Sequence, residues 1–224
     1  MGAAVGNAVS GEVLWASEGR SEATAARAAG FTDLGSVEEL VRASDVVLSI
    51  CPPAIAEDVA REVFGHAFGG IYVEANAISP ERMRRIADLG SRIVDGSIIA
   101  AHGINLYLAG AEAPAVAGLF GAGVRAIPLE GPVGAASALK MAFGGWNKIG
   151  IALTGQAHAI ARAYDVTAEL EAEGVPADRL ERVADRAWRW APEMEEIADL
   201  CRELGVSDAI PRGAADFYAE LTER

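Results

Sequence analysis

Two rhythms of apolar and polar positions divide the chain. In the first half, short apolar runs alternate with amphipathic stretches. Residues 12–16 read as a strand, followed by an alanine-rich helix over 20–29 that ends at Gly30. Ser36 opens a second helix, and Glu39, three residues on, completes a capping box. Residues 45–50 form a continuous apolar run, the pattern of a parallel strand covered on both faces. Pro52 and Pro53 open a helix to about Phe64, residues 70–74 make the next strand, and Ser79-Pro80 is an N-cap with proline at the first helical position. Short strands are expected at 92–94, 106–108 and 124–127, with a helix over 111–120. This alternation predicts a doubly wound α/β sheet with right-handed crossovers.

After Gly131-Pro132 the strand pattern stops. Residues 134–166 carry small and apolar side chains at helical spacing, and further helices are expected over 176–190, 192–204 and 208–221. The predicted organisation is an α/β domain over 1–130 and an all-α domain over 131–224.

Composition narrows the function. The net charge of −13 opposes a broad nucleic-acid or anionic-membrane surface, which needs a concentrated basic face. Neither a secretory leader nor an apolar run long enough for a membrane span is seen. Cys51 and Cys201 are too far apart for metal spacing, the three histidines are isolated, and a reducing, cytoplasmic setting without a bound metal is expected. Of 19 basic residues only Lys140 and Lys148 are lysines, eight positions apart. Arginine does not lose its proton in a protein, whereas lysine can.

The expected second strand of the nucleotide-binding unit ends in Ser17-Glu18-Gly19-Arg20-Ser21. That is the neighbourhood of the adenosine ribose, where an arginine beside a hydroxyl suits the 2′-phosphate of NADP and a carboxylate suits NAD. Arg20 and Ser21 point to NADP; Glu18 points the other way, and Arg20 can equally be a solvated residue at a helix start. Several stretches together resemble the 6-phosphogluconate and 3-hydroxyisobutyrate dehydrogenase family. Met1-Gly2 looks like the end of its G-x-G-x-M-G turn, Gly19-Arg20-Ser21 like its N-R-[ST] turn, and Cys51-Pro52-Pro53 sits where its fourth strand meets the cofactor. Residues 74–80 are similar to its D-x-S-T-x-x-P, and residues 134–140 to the helix start bearing its lysine. S-I-C-P-P, A-N-A-I-S-P and A-S-A-L-K-M are similar to a branch described as phosphogluconate-dehydrogenase-like NAD-binding proteins. The resemblance spans essentially the whole chain.

The resemblance implies an NADP-dependent oxidoreductase, with NAD second, whose catalytic residue is Lys140. It places Met1, Gly2, Arg20, Ser21, Cys51, Pro52, Pro53 and Asn76 at the cofactor, and Asn76 and Ser79 at a small-molecule substrate. It also implies a homodimer through the helical domain. Oxidising an alcohol requires a base for the hydroxyl proton while hydride leaves, and an amine of lowered pKa serves both directions. Lys140 either does this at a domain junction or snorkels from a buried helix to solvent. Lys148 is expected at the surface, and Trp146, Trp188 and Trp190 in core or dimer contacts.

Three departures from the family pattern stand out. The strand before the glycine-rich turn is missing, so a start assigned on the motif's own methionine, or a truncation, is expected. Gly144 replaces an asparagine four residues after the lysine, with Asn147 a substitute for substrate binding. Residues 95–100 are apolar where the family holds a substrate carboxylate, so the expected substrate is hydroxy-acid-like or a related carbonyl. An imine-reductase-like activity belongs to the same fold group, without the lysine. The competing reading is a non-catalytic relic that keeps the helical dimer module. Gly144-Gly145 inside a helix, at about 1 kcal/mol each relative to alanine, implies close approach by a ligand or a second helix.

Overall fold

A computed structural model describes residues 1–221, without the side chains of Arg186 and Trp188. The chain forms two compact units, Met1–Lys140 and the residues from Met141 onward. The first contains α1 (Gly2–Gly6), β1 (Leu14–Trp15), α2 (Glu22–Arg27), β2 (Thr32–Asp33), α3 (Val37–Ala43) and β3 (Val46–Ser49). A 3-10 turn (Pro53–Ile55) leads into α4 (Ala56–Gly65), β4 (Ile71–Glu74), α5 (Pro80–Ala87), β5 (Ile93–Ile99), β6 (Ile104–Ala109), α6 (Ala113–Ala117) and β7 (Val124–Pro128). The long helix α7 (Ala135–Ala163) starts in this unit.

β3 to β7 form one five-stranded sheet in sequence order, and β1 and β2 form a separate parallel pair. β3, β4 and β5 run parallel, β6 is antiparallel to β5, and β7 is parallel to β6. The alternation of side chains along each strand builds two cores. Val73, Val94, Ile98, Leu106 and Leu108 pack with Val5 of α1 and Val116 of α6 on one face. Val47, Tyr72 and Ile93 pack with Val41 of α3, Val63 of α4 and Met83 and Ile86 of α5 on the other. Helices therefore cover both faces, as the apolar strand at 45–50 implied.

The second unit is helical: the remainder of α7, then α8 (Thr167–Ala172), α9 (Ala184–Ala187), a 3-10 turn (Trp188–Trp190), α10 (Ala191–Glu203) and α11 (Ala209–Glu220). Of the helix expected over 176–190, only 184–190 is helical, as α9 and the 3-10 turn, and 176–183 is irregular. The Asp178 carboxylate takes the Leu180 N–H at 2.8 Å, and the Val183 N–H bonds to the Leu180 carbonyl, so local bonds compete with the helical ladder. The helix expected over 134–166 ends at Ala163, where Asp165 turns left-handed at φ 55° and the Val166 N–H caps the Ala161 carbonyl. β2 was not expected; its two exposed polar residues give no apolar signal. Gly144 and Gly145 admit α10. A β-carbon on Gly144 would lie 2.8 Å from Glu193 Oε1, and one on Gly145 would lie 3.5 Å from Ile197 Cδ1.

The start of α7 is fixed by the first unit's own sheet. Asp95, fully buried in β5, accepts the backbone N–H groups of Gly134 and Ser137, each at 2.9 Å, and the Ser137 hydroxyl at 2.7 Å. Two unpaired amides of a helix start are thus satisfied by a carboxylate from a strand far away in sequence. Gly134 makes this possible, since its φ of 104° lies where a side chain would be strained. Asp95→Ala removes all three bonds, with an expected loss of about 2 kcal/mol in urea unfolding. A loss below about 0.5 kcal/mol would show that the cap contributes no more than an ordinary surface contact.

Candidate active site

Because β3, β4 and β5 are parallel, their C-terminal ends share one edge of the sheet, the edge at which open α/β sheets bind ligands. β3 ends at Ser49 and continues through Ile50 into Cys51-Pro52-Pro53. β4 ends at Glu74, followed by Ala75 and Asn76. The Asn76 side chain stitches the two ends together. Its Oδ1 accepts the Cys51 N–H at 2.6 Å, and its amide nitrogen donates to Ser49 Oγ at 3.1 Å and Cys51 Sγ at 3.3 Å. Burial pushes the Cys51 thiol up, so it is a protonated thiol near neutral pH.

Pro53 is held from α5: Arg82 donates to its carbonyl at 2.8 Å and, through Nε, to Glu57 at 3.0 Å. Glu57 also accepts Arg85 at 3.0 Å and Arg61 at 3.2 Å. Arg85, with burial opposing and Arg82 assisting, holds the Glu57 carboxyl at about 2. Ser79 caps α5, accepting the Arg82 N–H at 3.5 Å, and is itself buried.

Other expected residues fall in the same unit. Arg20 and Ser21 are exposed after β1, Ser21 capping α2 through the Thr24 N–H. The Arg20 charge acts on the Cys51 thiol, lowering its pKa against the larger effect of burial. Gly2, next to the exposed Met1, lies beside the residue before the turn after β3: a β-carbon on it would be 3.9 Å from Ile50 Cβ. The part-buried Lys140, one helical turn after Ser137, donates its amine to the Ile98 carbonyl at 2.6 Å. Ile98 is three residues past Asp95, the register partner of Glu74. The amine therefore lies roughly 10 Å further along the strand direction than Glu74, at the end of β5.

Asn147 belongs to the helical unit, where Arg179 approaches its Oδ1 at 3.5 Å. Lys148 is not at the surface: its side chain is 14% exposed, paired with Glu193 and 5.7 Å from the Trp190 ring centre. Trp190 stacks edge-on against Tyr218 at 5.2 Å, Trp146 is exposed, and the Trp188 side chain lies outside the described residues. Glu57 and Arg82 were not singled out in the sequence, and Glu74 and Asp95 entered only as the first residues of the segments 74–80 and 95–100. Glu74 and Asp95 carry a visible signal, a carboxylate within a buried strand.

Comparison with solved structures places this arrangement. The conserved protein MTH1747, of unknown function and described as structurally similar to 3-hydroxyacid dehydrogenases, superposes with a TM-score of 0.76 at 26% identity, over 99% of this chain and 92% of that one. The chain has the 3-hydroxyacid dehydrogenase fold. A conserved hypothetical protein from Sinorhizobium meliloti shares the fold at TM-score 0.70 and 23% identity, over 97% of this chain and 84% of that one. The 3-hydroxyisobutyrate dehydrogenase of Mycobacterium tuberculosis, solved with L-serine, does so at 0.68 and 17%, over 90% and 82%. The resemblance read from the motifs therefore holds at this level. Residues 157–221 match DUF1932, a domain of unknown function. No curated protein matches. Among the described residues of this 3-hydroxyacid dehydrogenase fold, no helix is long and apolar enough to cross a membrane.

The Glu57 cluster makes an acid-stability prediction. Its folded pKa of about 2 lies below the usual 4.5, so its contribution is complete above about pH 4.5 and is lost as pH falls towards 2. Because Arg61 and Arg85 are half exposed, the contribution is on the order of 2 kcal/mol. Unfolding measured from neutral to acid pH should lose this slope in a Glu57→Gln variant; an unchanged slope would remove Glu57 from the account.

Proposed function

We propose that the chain is an NAD(P)-dependent oxidoreductase, transferring hydride between the nicotinamide and a hydroxy-acid-like or related carbonyl substrate, with Lys140 as general acid/base. The observation that carries this reading is the placement of the Lys140 amine on the Ile98 carbonyl, at the same sheet edge as the turn after β3 and Asn76. The 3-hydroxyacid dehydrogenase fold supports it. The cofactor would supply the hydride acceptor or donor. Arg20 and Ser21, a guanidinium and a hydroxyl exposed after β1, have the donor chemistry for a 2′-phosphate, which favours NADP over NAD. The turn at 51–53 and Asn76 would border the nicotinamide end. Lys140 would take the hydroxyl proton in oxidation and return it in reduction, and the carbonyl of Ile98 orients its amine.

Lys140→Ala tests this in single-turnover assays against a panel of small hydroxy acids and their carbonyl counterparts. Turnover should fall by at least about a hundredfold while cofactor affinity and thermal midpoint stay unchanged. Full turnover in the variant contradicts the role of Lys140, and no turnover in the unmutated chain favours a non-catalytic module.

The partner in this reading is a second copy of the chain. Trp146, Leu153 and Ile160 of α7, and Tyr164 just past its end, are each more than 60% exposed. The three helix residues recur every seven positions, the spacing of a helix face that pairs with its own copy. Sedimentation should show a dimer that Leu153→Glu with Ile160→Glu converts to monomer; a monomeric unmutated chain contradicts the pairing.

A further inference from the structure

Glu74 has no part in the chemistry above, yet the strand-end contacts run through it. It is fully buried at the end of β4. One carboxylate oxygen accepts the Asn76 backbone N–H at 3.0 Å and the Asn76 side-chain amide, and the other accepts the Tyr72 hydroxyl at 3.2 Å. Asn76 passes this hold across to β3, because its own oxygen accepts the Cys51 N–H. We propose that Glu74 is a positioning residue for the turn at 51–53: ionised, it locks Asn76 and hence the turn, and protonated, it releases both, so that cofactor binding at this edge tightens as pH rises. Only the clause on cofactor binding rests on the function proposed above.

The chemistry around the carboxyl decides the direction. β3 contributes Ser49 and the Cys51 thiol, β4 the Tyr72 hydroxyl, and β5 the carboxyl of Asp95, in register with Glu74. At the start of α7, Ser137 is engaged by Asp95, and the Lys140 amine is on the Ile98 carbonyl. Arg20 acts on the Cys51 thiol. Burial pushes the Glu74 carboxyl up to about 7, against the donors of Asn76, Tyr72 and Ser49. Its charge therefore changes in the neutral range, unlike that of an ordinary glutamate. The bonds to Asn76 are charge-assisted when Glu74 is ionised, and such bonds are about twice as strong as neutral ones. With the proton on the oxygen facing Tyr72, the oxygen that takes both Asn76 N–H groups remains only as a neutral, weaker acceptor.

The test follows the Cys51 backbone amide by nuclear magnetic resonance between about pH 5.5 and 8.5, without cofactor, in the full chain and in Glu74→Gln. Gln keeps the shape and removes the charge. The Cys51 amide and the Asn76 side-chain amide should titrate together near neutral pH in the unmutated chain and not in the variant. A flat response in the unmutated chain, or the same titration in both, overturns the proposal. If the variant does not fold, the carboxyl-carbon signal of Glu74 in the unmutated chain decides: a midpoint within the ordinary glutamate range overturns it. A parallel NADPH titration should show affinity rising at least about threefold from pH 6 to pH 8 beyond any change in Glu74→Gln. Amide titration without that rise keeps the lock and contradicts the cofactor reading alone.

Discussion

The grip of Asp95 on the start of α7 is the constraint on which the site depends. A buried carboxyl is raised by desolvation, and here the hydroxyl and amide of Ser137 and the amide of Gly134 act against that rise. Those donors reward the ionised form, and the carboxylate in turn satisfies helix-terminal amides that would otherwise be costly to bury. The consequence is positional. With Ser137 pinned to β5, the next turn of the helix carries Lys140 back to the same strand, and its amine meets the Ile98 carbonyl. A strand thereby sets both the origin of a helix and the direction of the side chain one turn later.

The rest of the sheet edge follows the same logic of polar groups satisfied across elements. Asn76 joins the ends of β3 and β4, and Arg82 joins the turn after β3 to α5 while Glu57 neutralises it. Glu74 and Asp95 are register partners on adjacent strands, yet their surroundings differ. Asp95 organises a helix start, and Glu74 organises the turn after the neighbouring strand. The helical unit instead relies on close approach, with Gly144 and Gly145 giving room to Glu193 and Ile197, and with Lys148 enclosed by Glu193 and Trp190.

Much of this was legible in the sequence because it is written in local periodicity. The apolar run before Cys51, the capping serines at 36 and 79, and the long small-residue helix all form where the pattern puts them. What was not legible is carried by contacts distant in sequence. Asp95 read as part of an altered motif, since nothing local announces that Gly134 and Ser137 will arrive above it. β5 extends further than its apolar start because Gly96 and Ser97 pair with β6, a partner that periodicity does not reveal. The segment after Pro176 looked helical by composition, but an aspartate side chain bonding its own backbone diverted it. Lys148 looked like a surface residue because its partner Glu193 is 45 positions away.

The proposed function requires that the C-terminal edge of β3, β4 and β5 hold a dinucleotide. The most direct measurement is a calorimetric titration of the full chain with NADPH and, separately, with NADH. Saturable binding with NADPH favoured by at least about tenfold, or about 1.4 kcal/mol, is the predicted result, with Arg20 and Ser21 reading the 2′-phosphate. Absence of binding by either nucleotide would contradict the claim.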